Sequence, residues 1–396
     1  MILVNDRVLP EAETRQPQHD GGHVRIGGSG RSLDFLWDCA RLVSCALPLA
    51  ACVAGCSDSV SPTPRATFRN LGILVGYASS QASALSSDGA VAAGTSATTA
   101  GNRQAFQWNG AQGMAGLGFL PGGTSSAATG ISADGAVMVG NGDAINDASP
   151  LSSAAFRWTA DAGAQRLAAL PGSQLCVAAG VSGDGAVIAG TCLAVGNTAF
   201  RWSASTGPVS LSRFGSGSSQ QSTATAISAD GSVVAGAGHP ALTGAVAWAA
   251  DGSATVLGKL PGDAEATATA VSRDGSVVVG VSTNNASIPR GFRWTLASGM
   301  VDLGGSASGT FAASISGDGS TIVGWSPEAS GDVALIWDAD HGWRQLVDVL
   351  TIDYRTPVPG WTLNRAAAIS GDGRTIAGHG TNPNGQTEAW VVKLPN

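Results

Sequence analysis

The chain has 396 residues, 43% of them hydrophobic and 12% charged, with 28 acidic against 21 basic side chains and a formal net charge of −7. A mildly acidic chain whose lysines are Lys259 and Lys393 offers no basic surface to a phosphate backbone, which argues against a nucleic-acid partner. Its 56 glycines, set among abundant Ala, Ser and Thr, describe short strands and tight turns and argue against long amphipathic helices.

Residues 1–40 show no hydrophobic periodicity and include the linker-like GGHVRIGGSG; we expect a disordered extension there, or a stretch ahead of the true translation start. From Arg41 the text becomes RLVSCALPLAACVAGCSDS, a basic residue, an apolar run and then small residues before cysteine. That is the pattern of a signal peptide over residues 41–56, too short for a membrane span of about 20 apolar residues. Val53-Ala54-Gly55-Cys56 resembles the bacterial lipobox, with Leu49-Ala50-Ala51-Cys52 as a second match. Cys56 is preferred because the polar Ser57-Asp58-Ser59 follows it directly. The expectation is an exported lipoprotein held through Cys56 on the periplasmic face of the outer membrane or on the cell surface, touching the membrane through that anchor alone. Residues 57–65 then read as a Pro/Ser linker.

A ten-residue phrase, clearest as VSRDGSVVVG at Val271 to Gly280, recurs seven times, with turn aspartates at Asp88, Asp134, Asp184, Asp230, Asp274, Asp318 and Asp372. Successive steps are 46, 50, 46, 44, 44 and 54 residues. Each copy divides into four strand-like segments bounded by Gly, Asp, Ser or Pro, and each carries one tryptophan 18 to 24 residues after its aspartate. Four antiparallel strands per unit is the blade of a β-propeller. We therefore read residues 66–396 as an all-β, seven-bladed β-propeller, monomeric, with the tryptophans filling the wedges between blades. In S-x-D-G the Ser and Asp side chains can bond nearby backbone groups while Gly supplies the positive φ of a hairpin turn, so the repeated aspartates are structural.

The seventh copy has no fourth strand before Asn396, and Thr67 to Val75 carries the same Leu-Gly-x-Leu text as Leu257 to Leu260. The N-terminal strand is therefore expected to join the C-terminal blade and close the ring, removing an exposed edge. With Gly183 and Asp184 at the turn centre, cross-strand pairs sum to 368, placing Cys176 opposite Cys192. In an exported chain these two cysteines should form a disulfide.

Chemistry is harder to locate. His239, His341 and His379 fall in different repeats without metal-ligand spacing, and no nucleophile elbow or phosphate loop occurs, so no catalytic residue, metal or cofactor is assigned. Loops on a rigid scaffold are where function is usually placed, which directs attention to interruptions of the repeat. Asn141 to Ser153, with Asp143, Asn146 and Asp147, reads as a polar surface loop rather than a calcium site. The larger interruption, residues 341–365, concentrates Asp348, Asp353, Tyr354, Arg355 and Trp361 and should include a short helix between Arg344 and Asp353. We take these five as the candidate binding residues.

The conjunction of GISADGAVMVG, AFRW and a Gly-rich LPG strand, with the ending GWTLNRAAAISGDGRTIAGHGTNPNGQTEAW, resembles the HAF family of bacterial extracellular repeats over residues 66–396. The S-x-D-G hairpin is also similar to the blades of TolB-like propellers. The resemblance implies an exported repeat protein without an established catalytic activity, and carries no functional residues across. The expected function is therefore a binding or structural module of the cell envelope that meets a glycan, a peptide or an envelope protein, more a non-enzyme than an enzyme. The alternative is a hydrolase or lyase with its active site at the channel mouth formed by the 341–365 insertion, Asp348 and Asp353 serving as general acid and base.

Overall fold

The computed structural model describes residues 65–143, 153–173, 175–194, 196–214, 220–239 and 244–395. The signal sequence, the lipobox with Cys56 and all but the last residue of the linker lie outside the described residues, as do Asn146 and Asp147.

The described chain is all-β apart from one short helical segment, and its strands form antiparallel sheets of four. In the fifth repeat the order is Asp263–Val271, Val277–Asn284, Pro289–Thr295 and Gly299–Asp302, each strand pairing with its sequence neighbour. The second and third repeats touch through a single parallel bridge, Ala154 to Cys176, and so count as one eight-stranded sheet. The last sheet takes its fourth strand from the other end of the chain: Thr67–Gly72 pairs antiparallel with Thr387–Lys393. Glu388, buried, ties this seam by accepting from Asn70 Nδ2 (3.0 Å), Gly72 N (3.0 Å) and Asn382 Nδ2 (2.7 Å).

Every S-x-D-G hairpin uses the same bonds. In the fifth, Ser272 Oγ donates to Asp274 Oδ1 (2.9 Å), Ser276 N donates to the same oxygen (3.0 Å) and Val277 N donates back to Ser272 Oγ (3.0 Å). Those donors, first the Ser276 backbone N–H and then the Ser276 and Ser272 hydroxyls, hold the Asp274 carboxyl down at about 2. Gly275 leaves the turn at φ 75°, a conformation that a side chain would strain.

The residue between Ser and Asp links one hairpin to the next, except that in the fourth copy the Asp230 N–H donates in place of Ala229. Ser87 N donates to Ala133 O, Ala133 N to Gly183 O, Gly183 N to Ala229 O, Asp230 N to Arg273 O, Arg273 N to Gly317 O, Gly317 N to Gly371 O, and Gly371 N back to Ser87 O, all at 2.7 to 3.1 Å. The circuit returns to its start. A second set of links runs from a β-bulge in each innermost strand: Thr129 Oγ1 donates to Ala178 O of the next sheet (2.9 Å) and Thr225 Oγ1 to Ala268 O (2.6 Å).

Packing between sheets differs in one respect from the sequence expectation. Trp248 and Trp390 are fully buried, but Trp108, Trp158, Trp202, Trp294 and Trp337 are half-buried at the margins of the apolar clusters. The rings at the centre are Phe106, Phe156, Phe200 and Phe292, two residues before a tryptophan and at most 1% exposed. Each lies across from a strand glycine: Phe292 pairs with Gly280, where a Cβ would collide with the phenyl ring and the Thr267 carbonyl. Only a bare backbone lets the ring lie flat on the neighbouring strand.

Cys176 and Cys192 pair across their hairpin and form a disulfide buried in the cluster around Phe200. Near the turn the register is one residue off the expected sum, since Ser182 pairs with Val187; a bulge at Ala179 restores the alignment before the cysteines.

Candidate functional site

The expected insertion at 341–365 is shorter in the structure: Gly342–Gln345 is the fourth strand of the sixth sheet and Thr362–Ile369 the first strand of the seventh, and only residues 346–361 form a wedge between the two. Leu346–Asp348 forms one α turn and Val349–Asp353 continues it as a π turn, in agreement with the expected short helix. Leu346, Val349, Leu350 and Val358 are buried in the same cluster as Ile336, Ile376 and Trp390. The candidate residues follow from that packing. Asp353 is exposed and bound to Arg344 (2.8 Å), which also reaches Asp338 (3.2 Å), itself bonded to His341 (2.7 Å). Tyr354 and Trp361 sit half-buried against the apolar cluster, Trp361 edge-on to Phe68 at 5.2 Å. Asp348 and Arg355 are exposed, Arg355 with a positive φ of 49°. No contact joins Asp348, Asp353, Tyr354 and Arg355 into one constellation, and none of the five candidates lines a described cavity. Asp348 and Asp353 are thus not held as an acid–base pair; the burial of Leu346 and Leu350 turns both carboxylates to the outside. Asp143, in the other interruption, is occupied by Thr124 N, Ser125 N and the Thr124 hydroxyl at 2.7 to 2.8 Å.

The innermost strands of all seven repeats line a common channel of ≈ 260 Å³. At its hairpin end the x positions of S-x-D-G are small except for Arg273, whose Nη2 crosses to donate to Ser87 Oγ (2.7 Å). The other end widens into a cavity of ≈ 350 Å³ lined by Gln81, Thr95, Thr269, Trp325 and His379 among others.

That wide mouth is where the chemistry gathers. The residues seven before and seven after each turn aspartate are cross-strand partners: Gln81 with Thr95, Ala127 with Asn141, Val177 with Thr191, Thr223 with Ala237, Thr267 with Val281. In the sixth and seventh copies the same pairs become Phe311 with Trp325 and Arg365 with His379. Phe311 stacks on Trp325 at 4.9 Å, and the Arg365 guanidinium lies 4.7 Å from the Trp325 ring. Arg365 Nε also donates to Asp332, and Asn364 Nδ2 bonds the Asp332 carbonyl (3.1 Å), so the cation is fixed from two sides. His379 has its Nδ1 buried without a hydrogen-bond partner among the described residues. Burial, then the nearby Arg365 charge, push its pKa down to about 4 against the opposing pull of Asp332, leaving a neutral imidazole at pH 7. The arrangement combines an uncharged proton acceptor, a fixed cation and an aromatic surface beside one cavity. Sequence reasoning weighed His379 only as a metal ligand and passed over Trp325 and Asp332 because it sought interruptions; for Trp325 and His379 the available signal was a change of residue type at fixed repeat positions.

No protein-family model matches the sequence, and no curated protein does. Solved structures do match. The β-propeller domain of the Trilobed protease from Pyrococcus furiosus superposes with a TM-score of 0.54 at 11% identity, covering 80% of this chain and 93% of that one. An oligogalacturonate lyase in complex with manganese gives 0.53 at 14% identity over 84% and 97%, and an oligogalacturonate lyase from Vibrio parahaemolyticus gives 0.54 at 13% over 84% and 98%. At these identities the likeness shows the fold alone, which is of the propeller type. It also corrects the expectation that the chain is more a non-enzyme than an enzyme: two lyases wear this fold over almost their whole length, so the architecture gives that leaning no support. The residues here do not fit the manganese of the first lyase. Among the described residues no three His, Cys, Asp or Glu side chains come together, and Asp332 at the mouth is already held by Arg365.

Proposed function

We propose that the protein is an exported, closed seven-bladed propeller enzyme of the hydrolase or lyase class, acting at the wide channel mouth to which the end of the 341–365 insertion delivers Arg365. The observation that carries this reading is the neutral imidazole of His379, which lines the mouth cavity together with Trp325, the ring on which the Arg365 cation is fixed. In the reaction His379 takes a proton from the substrate or from water, and Arg365 stabilises the negative charge that develops on oxygen. Trp325 gives the substrate an apolar face to rest on.

Closure of the ring is supported by the circuit of hairpin bonds and by the pairing of Thr67–Gly72 with the last strand. Export is supported by the Arg41 to Ser59 text and by a buried disulfide, a bond that persists in oxidising compartments. Anchoring through Cys56 and kinship with the HAF repeats are part of the same proposal and rest on the motifs alone.

The test is turnover of oligogalacturonate, a neutral glucan and an ester panel by the wild-type protein and by His379→Gln and Arg365→Met. At least one class should be turned over, with a loss of about 10²–10⁴-fold in His379→Gln while the melting transition is kept. Turnover that is unchanged in His379→Gln, or absent across the panel, rejects the reading.

A further inference from the structure

A second cavity, separate from the channel mouth, follows from a gap in the repeat. At the end of the fourth strand of a sheet the chain crosses to the next sheet on a leucine, followed three residues later by another apolar side chain: Leu71 and Leu74, Leu117 and Leu120, Leu167 and Leu170, Leu211 and Phe214, Leu257 and Leu260. Leu120 and Leu260 are each 2% exposed, so this second residue is a plug between adjacent sheets. Even the 341–365 insertion obeys the rule, with Leu346 and Val349 both buried. Between the fifth and sixth sheets the rule fails, because Leu303 is followed by Ser306.

Where the plug would sit there is a cavity of ≈ 440 Å³, walled on one side by Leu303, Val333, Leu335 and the indole of Trp343. Its polar side holds Ser306, whose hydroxyl meets Ser326 Oγ (2.8 Å), and Glu328, which accepts from Ser326 (2.8 Å). The indole N–H of Trp343 is buried with no acceptor among the described residues. The volume is within the range of small-molecule sites.

We propose that this cavity is a binding site for a single pyranose ring. A sugar ring brings C–H groups to the indole and aliphatic wall, and hydroxyl groups to donate to Glu328 and to exchange hydrogen bonds with Ser306. A purely aliphatic ligand would cover Glu328 and Ser306 without offering either a hydrogen bond. The site does not depend on the reading of the channel mouth.

The experiment is saturation-transfer NMR and tryptophan fluorescence on the full chain, titrated with glucose, galactose, mannose and N-acetylglucosamine. At least one should bind saturably to the wild type. Ser306→Leu restores the plug found at the other crossings; it should weaken binding at least tenfold with an unchanged or raised melting temperature. Trp343→Phe should also weaken binding at least tenfold and stands as the test if Ser306→Leu fails to fold. Trp325→Ala, at the mouth, should leave binding intact. No saturable binding, binding that survives both Trp343→Phe and Ser306→Leu, or binding abolished by Trp325→Ala overturns the proposal.

Discussion

His379 shows how one side chain is set by its surroundings. Its imidazole titrates at about 4 in the folded protein against 6.5 for the free group, because burial and the Arg365 charge both disfavour the cation. A depressed histidine pKa means that the unfolded chain binds the proton more tightly. Stability is therefore complete above pH 6.5, declines as pH falls from 6.5 to 4, and the penalty reaches about 3 kcal/mol below that window. In His379→Gln the drop in melting temperature between pH 6.5 and 4 should be visibly smaller than in the wild type; equal drops in the two proteins would mean that other groups control this range. Activity that needs the neutral imidazole should hold steady from neutral pH to about 5 and fall with a midpoint near 4.

At the scale of the element, the hairpin phrase has two halves with different duties. S-x-D-G makes the turn, and the closing glycine makes room. Gly280 at the end of VSRDGSVVVG lies under Phe292 and against the Thr267 carbonyl, so it serves sheet packing rather than turn geometry. Gly280→Ala should cost about 1–3 kcal/mol by overpacking, measured by urea unfolding, and the same change at Gly299, where a Cβ meets nothing within 4 Å, makes a control whose cost comes from φ alone. A Gly280→Ala protein as stable as the wild type would show that Phe292 is free to move aside. The aromatic signal in the sequence pointed at the tryptophans because Trp recurs in every copy; burial falls instead on the Phe two positions earlier, which strand alternation puts on the same face but deeper in the sheet stack.

Across the whole molecule, the seam between the chain ends is carried by few groups. Glu388 occupies the position that phenylalanine holds in other copies, and it spends its carboxylate on Asn70, Gly72 and Asn382. Glu388→Ala leaves those donors buried without an acceptor and should destabilise the protein by about 2–3 kcal/mol. Because the hairpin bonds run in a circuit, the loss should lower one cooperative transition; a separate early melting step confined to the seam, seen in hydrogen exchange at Thr67–Gly72, would show that the seam opens alone.

Strand number, the S-x-D-G turn, the Cys176–Cys192 pair and the return of Thr67–Gly72 to the last sheet were all legible in the residues, because period, turn chemistry and hairpin register are local properties written into each copy. The mouth was not. Trp325, Arg365 and His379 are separated by up to 54 residues and share no motif. Asp332, Trp325 and Arg365 meet only because the sixth and seventh sheets lie side by side around the channel, and the His379 imidazole is held neutral because that packing buries it next to a cation. In the same way, the insertion's charge suggested chemistry until Leu346 and Leu350 found the core and turned Asp348 and Asp353 outward. Which polar groups face a shared cavity is a property of neighbouring sheets, and a linear period cannot carry it.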